Sequence, residues 1–191
     1  MKLIFVMLMV VSLALTFNQK MSAQENQSVS NLFYGELGGP GIIMSFNFDG
    51  RFKSNTNLGL GYRFGVGFGI GDYTKKESEI KPDEGLQVET YTEGKRTVYS
   101  FPVGLNYILG KPNKASSFEV GGGVSFLTHK SSFYNYDFDN EKKGYILGYA
   151  TFMYRLMPLD GGFSLRLGLT PIIGTAGYMY PMGAFSIGYA F

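Results

Sequence analysis

The residues able to do chemistry fall into three groups, and their spacing decides what each can do. His129-Lys130-Ser131 forms an H-x-S, with Asp137, Asp139 and Glu141 following. A histidine, a serine and a carboxylate are the parts of a hydrolytic triad, in which the imidazole takes the hydroxyl proton and the acid orients the imidazole. The second group is Glu36, Asp49, Arg51, Arg63, Glu119, Arg155 and Arg166. Buried charges are costly unless paired, so four arginines and three carboxylates on one buried face would have to form an ion-pair network. The third group is Phe133, Tyr134, Tyr136, Asp137, Phe138 and Asp139, inside the segment Ser131–Lys143. Exposed aromatics beside acids contact sugars or proteins, and the plainer reading is an aromatic girdle at a membrane interface. Asp137, Asp139 and Asn140 do not complete a calcium loop. The glycines Gly65, Gly67, Gly69 and Gly71 precede no helix and are not a phosphate loop. Cysteine is absent, which removes disulfides and thiolate metal sites. No cofactor and no metal are expected.

The elements that carry these residues alternate with a period of two. From Leu58 to Gly71 the even positions Leu58, Leu60, Tyr62, Phe64, Val66, Phe68 and Ile70 are apolar, and the odd positions are glycine apart from Arg63. A soluble sheet gives its second face polar side chains to meet water. A face of glycine and one arginine suits instead the crowded interior of a small closed barrel. The pattern repeats. Ile42, Met44, Phe46, Phe48 and Phe52 oppose Ser45, Asn47, Asp49 and Arg51. Tyr99, Phe101, Val103, Leu105, Tyr107 and Leu109 oppose Ser100, Pro102, Gly104 and Asn106. Phe118, Val120, Val124 and Phe126 oppose Glu119 and Ser125; Phe152, Tyr154 and Leu156 oppose Thr151 and Arg155; Phe163, Leu165 and Leu167 oppose Ser164 and Arg166. Phe185, Ile187, Tyr189 and Phe191 form the outward row of a final strand that ends the chain. With Leu32–Leu37 the expectation is an all-β protein: a closed antiparallel transmembrane β-barrel of eight strands in meander order, over residues 31–191.

The same parity weighs against the triad. His129 and Ser131 share the odd, inward parity of Glu119 and Ser125, whereas a lipid-cleaving site should face lipid. No catalytic residue is assigned. The connections Lys53–Asn57, Lys111–Ala115 and Pro158–Gly162 read as short turns. Thr74–Arg96, with six acids and five bases, reads as a mobile solvated arm, and Lys130–Lys143 as a second long loop; the connections at Gly38–Gly41 and Tyr178–Pro181 are tight.

The N-terminus reads as a secretory signal. Met1-Lys2 gives a positive start, Leu3–Phe17 an apolar run too short to span as a helix, and Met21-Ser22-Ala23 a small-residue cleavage site. Residues 1–23 are expected to be removed, and residues 24–30 form a polar lead-in. Losing Lys2 and Lys20 leaves basic and acidic residues in equal number, so nothing points to nucleic acid.

The stretches Glu36–Phe48 (ELGG…SFNF), Phe101–Lys111 (FPVGLNYILGK) and Met153–Phe163 (MYR…PLDGGF), with the aromatic C-terminal strand, resemble the small OmpA/OmpX-like outer-membrane barrels. The resemblance covers nearly the whole mature chain and is specific for architecture rather than activity. It implies a bacterial outer-membrane location with both termini periplasmic and a final strand read by the barrel-assembly machinery and periplasmic chaperones. It also implies contact with outer-membrane lipid and lipopolysaccharide, and a monomer. The expected function is a barrel with a plugged polar interior, acting as a structural or surface-interaction protein whose extracellular loops meet a protein or glycan. The alternative is a narrow channel or small-ligand carrier; a lipid-modifying enzyme is a distant third.

Overall fold

The fold follows from the alternation, because a strand with one apolar and one polar face must place them against different surroundings. The computed structural model describes residues 29–81, 86–129, 146–174 and 179–191. Its strands are β1 (Asn31–Gly38), β2 (Met44–Arg51), β3 (Gly59–Lys81), β4 (Leu86–Gly110), β5 (Ser116–Leu127), β6 (Ile146–Leu156), β7 (Gly162–Leu169), the short β8 (Ile172–Ile173) and β9 (Met179–Tyr180), and β10 (Gly183–Ala190). β8 continues β7 beyond Thr170-Pro171, and β9 leads into β10 across Pro181-Met182, so the wall has eight strands. A proline cannot donate to a ladder, which explains both interruptions. Neighbours pair antiparallel in sequence order. The sheet closes where β1 pairs β10, from Leu32↔Ala190 to Gly38↔Ala184. Phe191 exchanges backbone hydrogen bonds with Asn31 at 3.0 and 3.1 Å and completes that seam. This is the eight-stranded closed meander that the residue pattern predicts.

The outward row is apolar along the wall, with the polar Asn31 and Ser116 at strand ends. Phe33, Phe46, Leu60, Phe64, Leu105 and Leu167 are among the exposed side chains, each at half exposure or more. In the strands that pair around the wall, no outward position carries a charge among the described residues, up to Ile70 on β3 and from Thr97 on β4. Aromatic side chains cluster across the seam on this surface: Phe48 lies 5.4 Å from Phe64 and 6.3 Å from Phe191, centroid to centroid.

Four features differ from the sequence expectation, one being the connection expected to be tight at Tyr178–Pro181, where Met179–Tyr180 instead pair with Ile172–Ile173 and carry the ribbon beyond β7 and β10. Within Thr74–Arg96 the described residues form a paired ribbon rather than a loose arm. β3 and β4 stay paired from Gly69↔Val98 to Lys81↔Leu86, beyond the last residues that pair with β2 and β5. The hairpin therefore runs about 40 Å along the strand past the wall, at roughly 3.4 Å per residue. Near its middle Lys76 and Tyr91 face each other across the pair, and Glu89 takes Lys76 Nζ at 2.6 Å and the Tyr91 hydroxyl at 2.8 Å.

Ile42 does not point out with Met44 and Phe46. It adopts φ 75° and is fully buried. A positive φ is strained for a β-branched residue and reverses the side-chain direction. The Gly39–Gly41 turn folds into the barrel mouth with Pro40 buried. Its carbonyls are satisfied there: Ser100 Oγ donates to Gly41 O at 3.2 Å and Ser125 Oγ to Pro40 O at 2.9 Å.

Finally, the lead-in is not wholly featureless. Val29 is buried with Leu32, Tyr34, Met157 and Ala190 at the end of the barrel that carries Phe191.

Candidate functional site

The barrel wall aims alternate residues inward, and glycine makes room for those that are long. A Cβ on Gly61 would fall on the Arg51 guanidinium, and one on Gly65 on the Asn47 side chain. Gly67 lets the Gly41 backbone approach the wall, since a Cβ there would meet Gly41 O and Cα. The bare odd face of β3 is thus filled by side chains and a turn from elsewhere.

All seven charged residues singled out from the sequence are buried in this lumen, and they meet in one alternating chain. Arg51 Nη2 binds Asp49 Oδ1 at 2.5 Å, and Arg155 Nη2 binds the same oxygen at 3.0 Å. Arg155 Nη1 reaches Glu119 Oε2 at 3.2 Å. Arg166 holds Glu119 with Nε at 3.1 Å and Nη2 at 2.6 Å. It also reaches Glu36 Oε2 at 3.3 Å with Nη1. Arg63 Nη2 closes the series on Glu36 Oε1 at 2.9 Å. The order is arginine, carboxylate, arginine, carboxylate, arginine, carboxylate, arginine.

The register explains why Glu119 is central. Arg155 and Arg166 stand directly opposite on β6 and β7, and like charges so placed repel. Glu119 Oε2 accepts from both and converts the repulsion into a bridge. Neutral groups complete the set. Asn106 donates Nδ2 to Asp49 and, at 3.4 Å, to Glu119, while its carbonyl accepts from Arg51 at 2.7 Å. Ser186 Oγ donates to Glu36 Oε2 at 3.0 Å.

Arg63 does not pair with Asp49, its opposite neighbour on β2, nor with Glu119, the two partners that strand order favours. Both are already taken by Arg51, Arg155, Arg166 and Asn106, which leaves Glu36 as the open carboxylate. The Arg63 guanidinium lies between the rings of Tyr34 and Tyr149, 5.7 and 5.5 Å from their centroids, and Arg166 sits 4.3 Å from the Tyr34 centroid. Such contacts stabilise a desolvated cation. Tyr34, Tyr149, Asn106 and Ser186 were not singled out as site residues, although their inward parity was the available signal.

Above Arg63 the lumen turns apolar. Ile42, Val98, Leu127, Leu147, Tyr149, Ile172 and Met182 form one buried cluster towards the hairpin end. The other sequence candidates lie apart. Phe185, Ile187, Tyr189 and Phe191 face outward. His129 is half-buried at the end of β5, with Nδ1 3.2 Å from Thr128 Oγ1. Ser131 and the aromatic-acidic set Phe133, Tyr134, Tyr136, Asp137, Phe138 and Asp139 lie outside the described residues, as do residues 1–28.

No protein-family model matches the chain, and no curated protein matches it in sequence. Among solved structures it is similar to the outer-membrane protein Ail of Yersinia pestis in a phospholipid nanodisc, with 11% identity, TM-score 0.45, and 85% of this chain and 99% of that one covered. It is also similar to Ail of the same organism in complex with the heparin analogue sucrose octasulfate, with 13% identity, TM-score 0.34, and 87% and 98% covered. These values are too low to bear on function, and the barrel assignment stands on this chain's own strand pairing.

Proposed function

We propose that this chain is an integral protein of the bacterial outer membrane whose plugged interior carries no traffic and whose work lies at the outer surface. The observation that carries the reading is the division of the wall: an uncharged apolar row outside and an ion-pair chain inside. Lipid accepts the first, and a closed barrel shields the second from it. In this reading the end with the short turns, where Val29 and Phe191 lie, is periplasmic, and the β3–β4 hairpin projects outside the cell. Its exposed Tyr73 and Tyr91 among charged residues suit contact with an extracellular protein or glycan. The wall meets lipid and lipopolysaccharide, and the C-terminal strand meets the assembly machinery and its chaperones. The barrel acts as a monomer and performs no enzymatic step.

Two measurements test this. In planar bilayers the purified barrel should be silent, and reproducible single-channel openings would favour the channel instead. Trypsin added to intact cells should cut at Lys75 or Lys76 on the hairpin. Protection until the outer membrane is permeabilised would reverse the orientation.

A further inference from the structure

The ion-pair chain in the lumen begins and ends on arginine. Four guanidinium groups face three carboxylates, and all seven are buried. Guanidinium does not deprotonate in a protein, so the surplus positive charge cannot be relieved by titration. In a low-dielectric barrel inside a membrane such a surplus is costly.

The two ends of the chain are not equivalent. Arg51, at the end with the short turns, also donates Nη1 to Gly59 O at 3.0 Å and Nη2 to Asn106 Oδ1. Arg63, at the other end, spends only Nη2, on Glu36. Its Nε and Nη1 are buried and have no acceptor among the described residues, and neither do the hydroxyls of the flanking Tyr34 and Tyr149; elsewhere in the lumen Arg155 Nε, Asn47 Oδ1 and Thr151 Oγ1 are also without a partner, but only Arg63 has two such donors. Buried donors in proteins are almost always satisfied by protein, water or an ion. A partner that also carries negative charge would offset the surplus.

We propose that the lumen binds one small monovalent inorganic anion, of the halide class, beside Arg63. It extends the alternation by one member and brings the buried charge to zero. Tyr34 and Tyr149 flank the guanidinium, and the apolar cluster under Ile42 separates the site from the hairpin end, so the anion is structural rather than in transit. The site is independent of what the hairpin binds.

The test uses the full barrel refolded in detergent with bromide as the sole halide. Crystals so grown should show an anomalous bromide peak in the lumen within hydrogen-bonding reach of Arg63 Nε or Nη1. Bromide found only on the outer surface, or a lumen with no bromide peak, overturns the proposal in favour of water or a tolerated charge. A second measurement compares thermal unfolding in sodium bromide and in sodium isethionate, a larger anion, at equal ionic strength. Wild type should melt higher in bromide, and Arg63→Gln, with charges balanced at three and three, should melt alike in both. Equal melting of wild type in the two salts, or an undiminished bromide shift in Arg63→Gln, also overturns it. If Arg63→Gln does not refold, the anomalous map of wild type decides.

Discussion

Glu119→Gln is the sharpest perturbation of the lumen, because Glu119 bridges two arginines that face each other across β6 and β7. Glutamine keeps the shape and one acceptor oxygen but removes the charge that offsets their repulsion. The loss touches contacts to Arg155 at 3.2 Å and to Arg166 at 3.1 and 2.6 Å. Arg155 retains Asp49 and Arg166 retains Glu36, so neither is stripped of every partner. Breaking a buried pair costs about 3–5 kcal/mol, and the retained partners place this variant near the lower end. With a urea slope of about 1–3 kcal/mol per molar, the unfolding midpoint should fall by roughly 1–3 M. The chain has no tryptophan, so unfolding is best followed by the heat-modifiable gel band of barrels refolded in lipid vesicles. A midpoint indistinguishable from wild type would refute the view that the ion-pair chain holds the barrel's charged core together.

Phe64 is half exposed near the middle of the wall, so Phe64→Arg should cost about 2–4 kcal/mol in lipid; unchanged urea unfolding would show that this face does not meet the bilayer core. Gly65→Ala acts from the other side, since its Cβ would overlap the Asn47 side chain and the Phe46 carbonyl oxygen. Overpacking of this kind costs about 1–3 kcal/mol, and a neutral result would mean the lumen is looser than the contacts imply. Deleting Phe191 removes both seam hydrogen bonds to Asn31 and the end of the outward aromatic row, so the folded band in outer-membrane fractions should fall; normal levels would argue against an assembly role.

Much of the wall was legible because period-two alternation survives without any knowledge of partners. Glu36, Asp49, Arg63, Glu119 and Arg166 each sit among apolar or small neighbours, and parity alone turns them to one side of the sheet. Which charge meets which was not legible. Arg63 faces Asp49 across β2 and β3 yet binds Glu36, because competition from Arg51 and Arg155 is set by barrel curvature and side-chain reach. The inward turn at Gly39–Gly41 was also hidden. Gly38-Gly39-Pro40-Gly41 announces a turn, but its direction depends on hydroxyls from Ser100 and Ser125, which are 59 and 85 residues away. The long β3–β4 hairpin was misread because charge runs signal solvent, and a two-stranded ribbon in solvent carries charge on both faces. Lys76, Glu89 and Tyr91 make cross-strand contacts within it.

The arrangement of the lumen bears directly on plug against gate. A gate that opens by exchanging ion-pair partners needs a spare acceptor for the side chain that lets go. Each of the three carboxylates already holds two arginines: Asp49 holds Arg51 and Arg155, Glu119 holds Arg155 and Arg166, and Glu36 holds Arg63 and Arg166. Moving any one arginine leaves its carboxylate short and finds no vacant carboxylate elsewhere in the set. The apolar cluster around Ile42 lies in series with this chain and meets it at Tyr149, whose ring packs on the Arg63 guanidinium. A water path would have to break both at once, one by separating ions and the other by displacing the strained turn that holds Ile42. The first is an ionic rearrangement and the second a displacement of packed apolar side chains, and both must give way although Tyr149 belongs to each. The proposed plug rests on that double requirement. Openings of wild type in a planar bilayer would require a motion of the Gly39–Gly41 turn together with a rearranged Arg63–Glu36 pair, and cross-linking that turn to β5 should then abolish them.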